Sequence, residues 1–419
     1  MRLLFLSVSV FVPALSTCIS VAPTAETGKL AAGGRATYST DTNPRGLAVA
    51  DLNNDGRLDL VTVNNATSHH DESPSILLPR WLRSFISARQ ARRPNYGSVT
   101  VRWGESSGGF GARTDYRIAR DPQTVAVGDV TGDGRPDVVA TCWGALPGGQ
   151  STVSVLPGPA AGTALGAPAN YPIELVRDGT ALGDVTGDGR LDLVKPSEQR
   201  LAVSVFPNQA SGGFGPGLTF PLDSIGASGV ALADLNEDGR PDFVLERYFF
   251  STVAVVLSKP GGGYGPATTY PTGPNPTALV VGDATGDGRP DLLTANYDLD
   301  GPGSVSVLPG RAGGTFGPPL TYPTAPDPIG LALGDVTGDG RPDVVVSTSN
   351  LGSGAGQVLL LPGRAGGGWA PAVPLSAGSD PGTVLLADVN RDQHLDVVVA
   401  DRASSEVTVL AGPLRAPAP

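Results

Sequence analysis

The chain has 419 residues, among them 58 glycines and 39 prolines, with few aromatic residues and a formal charge of −11. That much glycine and proline, with short β-branched runs and almost no helical periodicity, excludes a helical bundle and points to an all-β protein rich in turns. The acid excess argues against nucleic acid as a partner, but most of it sits in one repeated loop and says little else about what the chain binds.

Residues 1–25 read as an export signal: Arg2, the apolar run LLFLSVSVFVPAL, then small residues. The run is too short and too interrupted by serine and proline for a membrane span. Leu15-Ser16-Thr17-Cys18 resembles a bacterial lipobox, which would make a lipidated Cys18 the one membrane attachment; simple cleavage between Ala22 and Ala25 stands beside it. Either way the mature protein is expected to be secreted or held at the cell surface. Residues 26–35 are a polar linker. Of the two cysteines, Cys18 lies in the leader, so Cys142 has no disulfide partner in the mature chain.

The dominant motif is Asp-x-Asn/Thr-x-Asp-Gly-Arg-x-Asp, read out seven times. Its ligand-bearing positions are Asp51, Asn53, Asp55, Arg57 and Asp59 in the first copy, and Asp129, Thr131, Asp133, Arg135 and Asp137 in the second. The third and fourth carry Asp184, Thr186, Asp188, Arg190 and Asp192, then Asp234, Asn236, Asp238, Arg240 and Asp242. The fifth and sixth carry Asp283, Thr285, Asp287, Arg289 and Asp291, then Asp335, Thr337, Asp339, Arg341 and Asp343. The last has Asp388, Asn390, Asp392, His394 and Asp396.

Three carboxylates in one tight turn repel each other unless a cation lies among them. Oxygen-only donors at this density suit Ca²⁺, with position 3 adding a side-chain oxygen and position 7 its main-chain carbonyl. An ordinary Asx-turn needs one aspartate, not three. Seven bound Ca²⁺ would bring the formal charge to about +3.

Each copy sits between apolar runs. A small residue always precedes the first aspartate (Ala50, Gly128, Gly183, Ala233, Gly282, Gly334, Ala387), and runs such as PDVVVS and VSVLPG follow. A Gly-rich turn with Phe110, Leu165, Phe214, Tyr264, Phe316 or Trp369 then leads to a fourth run such as LTYPT. Four strands in roughly 50 residues is the size of a propeller blade. The chain stops after the seventh third-strand run, while Ala36-Thr37-Tyr38-Ser39-Thr40 ahead of the first loop matches a fourth strand. The expected fold is therefore a seven-bladed β-propeller of four-stranded antiparallel blades over 36–413, the last blade closed by an N-terminal strand, with a short tail at 414–419. An EF-hand does not fit, because position 12 is apolar (Val346 in the sixth copy) and lies in a strand.

These loops, with Phe214-Gly215-Pro216 and Gly166-Ala167-Pro168, resemble the FG-GAP/VCBS repeat family, whose relatives include the β-propellers of integrin α-subunits. The resemblance covers about 36–413, and it implies Ca²⁺ held between the first and second strands of each blade by the aspartates named above. The seventh copy departs from it, with Gln393 for glycine and His394 for arginine. A side chain in a left-handed conformation costs about 1–2 kcal/mol, so this loop is expected to be the weakest.

An insert at 64–97 lengthens the first repeat. It contains His69-His70-Asp71-Glu72 and an amphipathic pattern from Pro79 to Arg93, with Trp81, Leu82 and Phe85 set against five arginines. It reads as a lid helix, as a basic contact for an anionic partner, or, through the histidines, as a transition-metal site. Hairpin alternation puts the calcium turns on one face of the ring. The loops with variable residues lie on the other: Arg45, Cys142-Trp143, Arg247 to Phe250 and Asn296 to Asp298. No nucleophile elbow, His-Glu-x-x-His or phosphate loop is present. The expected function is non-covalent recognition of a protein or glycan by a monomer outside the cell. The alternative is an extracellular polysaccharide lyase or glycoside hydrolase on the same scaffold.

Overall fold

The computed structural model describes residues 30–65, 96–143, 151–173, 179–197, 201–210, 212–222, 226–299, 301–349 and 356–414. The leader, most of the insert and the end of the tail lie outside them. Seven four-stranded antiparallel sheets stand as blades, and the first strands of successive blades pack side by side until that of blade 7 meets that of blade 1. In blade 6, for example, the strands are Pro328–Gly334, Asp343–Thr348, Gln357–Leu361 and Val373–Leu375, from the channel outward. Among the described residues the one helical element is a 3-10 turn, Tyr248–Phe250.

Second and third strands are buried on both faces, as their continuous apolar runs require. The expected closure is present. Arg35–Ser39 forms the outer strand of blade 7, antiparallel to Glu406–Leu410, with Thr37 opposite Thr408. The sheet that would end in an open edge is thereby completed by the start of the chain.

Two sequence features gain a physical reason from the packing between blades. The glycine ahead of the loop in four blades (Gly128, Gly183, Gly282, Gly334) makes room for a leucine of the next blade. A Cβ on Gly128 would lie 2.6 Å from Leu191 Cδ1, and one on Gly183 the same distance from Leu232 Cδ1. The aromatic of the Phe-Gly turn packs edge-on against the fourth-strand aromatic of the preceding blade. The pairs are Tyr171 with Phe214, Phe220 with Tyr264, Tyr270 with Phe316 and Tyr322 with Trp369. Tyr38 on the closing strand meets Phe110 of blade 1 in the same way, at 5.2 Å, so the seam is sealed like the other joints.

Candidate functional site

In all seven blades the aspartate loop joins the first strand to the second, and the residue before it pairs across with the ninth-position aspartate (Gly334 with Asp343, Ala387 with Asp396). Turn geometry uses all three aspartates, not one. In blade 6, Asp335 Oδ1 accepts the amides of Gly338 and Asp339 at 2.7 and 3.1 Å, and its Oδ2 accepts that of Gly340 at 2.7 Å. Asp339 Oδ1 accepts the amide of Arg341 at 3.0 Å. Asp343 Oδ2 accepts the amides of Val336 and Thr337, while its Oδ1 accepts that of Gly363 at 2.7 Å.

This last arrangement recurs without exception. Asp59, Asp137, Asp192, Asp242, Asp291, Asp343 and Asp396 are each 0% exposed. One oxygen of each holds the start of its own loop. The other holds a backbone amide just beyond the third strand: Gly104, Gly158, Asn208, Ser258, Gly310, Gly363 or Gly412. Each is a three-way clamp between the loop, the second strand and the third. Burial pushes the carboxyl of Asp59 up to about 6; its backbone bonds pull the other way, and Asp55 and Asp51 add to the rise. Asp396 is pushed to about 6 for the same first reason. In the first loop the buried carboxyl therefore feels the two on the rim, although the ninth position faces inward and the first and fifth line the outer rim.

The rim has its own pattern. The fifth-position carboxylate is paired with the seventh-position guanidinium in five loops: Asp55 with Arg57, Asp133 with Arg135, Asp188 with Arg190, Asp287 with Arg289 and Asp339 with Arg341. Arg57, Arg190 and Arg341 also donate Nε to the carbonyl of Gly104, Asn208 or Gly363, so they grip the same third-strand exit as the clamp. The arginine side chain, rather than only its carbonyl, thus has a place in the loop. Where position 3 is asparagine (Asn53, Asn236, Asn390), its Oδ1 accepts the fifth-position amide and its Nδ2 faces that carboxylate. Thr131, Thr186, Thr285 and Thr337 instead give their amides to the buried aspartate.

Loop 7 keeps the backbone bonds with altered residues. Gln393 holds the left-handed conformation at φ 71°, its amide donates to Asp388 Oδ2 at 2.9 Å, and His394 puts no cation on Asp392. Among the described residues no group of three or more His, Cys, Asp or Glu is placed to hold a metal ion. The donor set itself, all oxygens with two carboxylates on each rim, has the hardness and charge that suit Ca²⁺.

The opposite face repeats an Asn or Asp at positive φ ahead of a proline in five blades (Asn43, Asp121, Asn275, Asp327, Asp380), but not the residues that close the second strands. Where the second strands end there stand Asn65, Trp143, Tyr297, Ser349 and Arg402, each giving its amide to a carbonyl of the loop that enters its own blade, and Tyr248, whose amide goes to Ser228 Oγ. Asn65 Nδ2 crosses to Asp121 of the next blade at 2.5 Å. Phe249 and Phe250 are exposed, with the Arg247 guanidinium 4.3 Å from the centre of the Phe250 ring. Cys142 is a buried free thiol that burial pushes up to about 12, which favours the neutral form. The His69-His70 pair and the amphipathic stretch of the insert lie outside the described residues.

A ring of seven four-stranded blades, each with an acidic loop between its first two strands, is a seven-bladed β-propeller. Residues 85–140, 184–245 and 283–346 match the FG-GAP-like repeat family. No curated protein matches it. Among solved structures it is similar to the periplasmic gluconolactonase PpgL of Pseudomonas aeruginosa, at 18% identity over 89% of this chain and 96% of that one, with a TM-score of 0.54. It is also similar to a virginiamycin B lyase of Staphylococcus aureus, at 12% identity over 90% and 99%, with a TM-score of 0.51. These likenesses show the fold alone. The chain spans only 16% of the Photorhabdus luminescens Tc holotoxin chain it also matches, with 77% of this chain covered, 17% identity and a TM-score of 0.39.

Proposed function

We propose that this protein is an exported recognition module: a propeller whose acidic loops bind Ca²⁺ and whose opposite face binds a protein or glycan ligand. The observation that carries this reading is the contrast between the ends of the same strands. One end repeats a single acidic loop seven times, and the other presents a different residue in nearly every blade. A scaffold held constant beneath varied loops is the usual layout of a binding protein.

The first- and fifth-position aspartates, the third-position oxygen and the seventh-position carbonyl would hold the ion. Bound Ca²⁺ would supply positive charge at a rim where Arg57 and its equivalents now face the fifth carboxylate. The apolar leader supports export. The fold relatives contribute no chemistry to this chain at their level of identity.

The test is a glycan array and a pull-down with the full chain in calcium, run beside turnover assays on each ligand found. Capture without turnover is expected. Release of product from a bound sugar would replace this reading with the lyase or hydrolase.

A further inference from the structure

Two arginines flank Gly382 and Thr383 where the ring closes, on the variable face. Arg45 follows Pro44 on the first strand of blade 1, Pro44–Ala50, and its carbonyl accepts the hydroxyl of Thr383 from blade 7 at 2.9 Å. Arg402 stands just after the second strand of blade 7, Asp396–Asp401, with a side chain only 2% exposed. Its stem lies against Gly382, where a Cβ would sit 3.2 Å from Cδ and 3.3 Å from Nε; glycine leaves the room.

The donors of this pair are underused. Arg402 Nη2 donates to Asp380 Oδ1 at 2.7 Å, but its Nε and Nη1 are buried without an acceptor among the described residues. Arg45 Nε is buried and without one as well, and Arg45 forms no ion pair among the described residues. Two carboxylates lie near enough to act on the charge of Arg45, and both have other bonds. Asp380 takes Arg402, and Asp121 Oδ1 takes Asn65 Nδ2 and Gln123 Nε2 at 2.5 and 2.7 Å. Burial first, and then the charge of Arg402, hold Arg45 down to about 10 against the opposing influence of Asp121 and Asp380. Buried donors without partners are rare in folded proteins and mark places where an acceptor belongs. Guanidinium forks match the spacing of oxygens in carboxylate, sulfate and phosphate groups.

We propose that Arg45 and Arg402 form a binding site for one oxyanion group, carried by a small soluble ligand, at the channel mouth between blades 7 and 1. The site deepens the reading of this face as the recognition face, and it does not depend on the calcium assignment.

The experiment is calorimetric titration of the full chain with sulfate, phosphate and glucuronate at constant ionic strength, with chloride as the blank. Arg45→Gln removes one fork and leaves the buried Arg402–Asp380 pair intact, so its melt should stay close to that of the parent chain. Arg45→Lys keeps the charge and loses the fork. The expected result is binding of at least one anion with a stoichiometry of one, weakened tenfold or more in R45Q and less in R45K. Which anion binds tells a sugar carboxylate from an inorganic oxyanion. No binding above chloride, or equal binding by R45Q, overturns the proposal. Anion binding that survives alongside empty arrays and pull-downs would leave this site standing and remove the recognition reading. A macromolecular ligand held equally well by R45Q, with no anion bound, would do the reverse.

Discussion

At the loop end of the strands, Asp59 in blade 1 and Asp343 in blade 6 each accept the amide just after the first loop aspartate and one just beyond the third strand. At the other end of those two strands stand Asn65 and Ser349, which share neither size nor partner. The same backbone thus has one end where three aspartates recur in every blade and another where the residues that close the second strands differ. Repetition marks what each blade needs in order to stand. Its absence marks positions the fold leaves free for a ligand.

The sharpest break in this contrast is expected at the buried aspartate. Asp343→Ala leaves the amides of Val336, Thr337 and Gly363 without an acceptor and should cost about 3–5 kcal/mol in chemical denaturation, with or without calcium. Removing calcium comes next. Chelation should lower the melting temperature by about 10 °C or more if several sites are filled, since each ion stabilises only the folded ring. Asp339→Ala should shrink that calcium-dependent shift more than Asp392→Ala. An identical melt in chelator and in calcium would remove the ion from all seven loops.

The largest single pH effect is expected at the variable end. Asp401, on the last turn of a buried strand in blade 7, is pushed up to about 7 by burial; Thr408 and Arg35 oppose this, and Glu406 adds to it. The folded state then holds a proton that the unfolded chain releases near pH 4, so this residue costs stability as the pH rises from about 4 to about 7. Asp401→Asn should be on the order of 2 kcal/mol more stable than the parent chain at pH 7.5 and equal to it at pH 4, measured by urea titration. Gln393→Gly should stabilise loop 7 by about 1 kcal/mol by relieving a side chain at φ 71°. The smallest effect on stability is expected at the variable mouth. Tyr297→Ala should change the melt by under about 0.5 kcal/mol equivalent while reducing capture of ligand, and a large loss of stability there would erase the distinction between the two ends.

Much of the ring was legible in the chain. The alternation of small residue, acidic loop and apolar run located first and second strands, and Tyr38 identified the closing strand because it repeats the residue type of Tyr322 and Tyr270. The clamp was not legible. The partners of Asp343 Oδ1 and its equivalents are main-chain amides 16 to 45 positions away, and an amide leaves no mark in a sequence. The apolar residues on both sides of the ninth aspartate were the available hint that it lies inside. Arg45 and Arg402 were separated in the same way, because only the closed ring brings blade 7 against blade 1.

Closure of the ring also sets an order of events in time. Asn43 and Ser405, which share a hydrogen bond, are 362 positions apart. A ribosome must therefore make nearly every blade before Arg35–Ser39 finds its place beside Glu406–Leu410. Until that moment the strand Arg35–Ser39 has no partner strand and the ring stays open, so the nascent protein is exposed to mispairing for the whole of its synthesis.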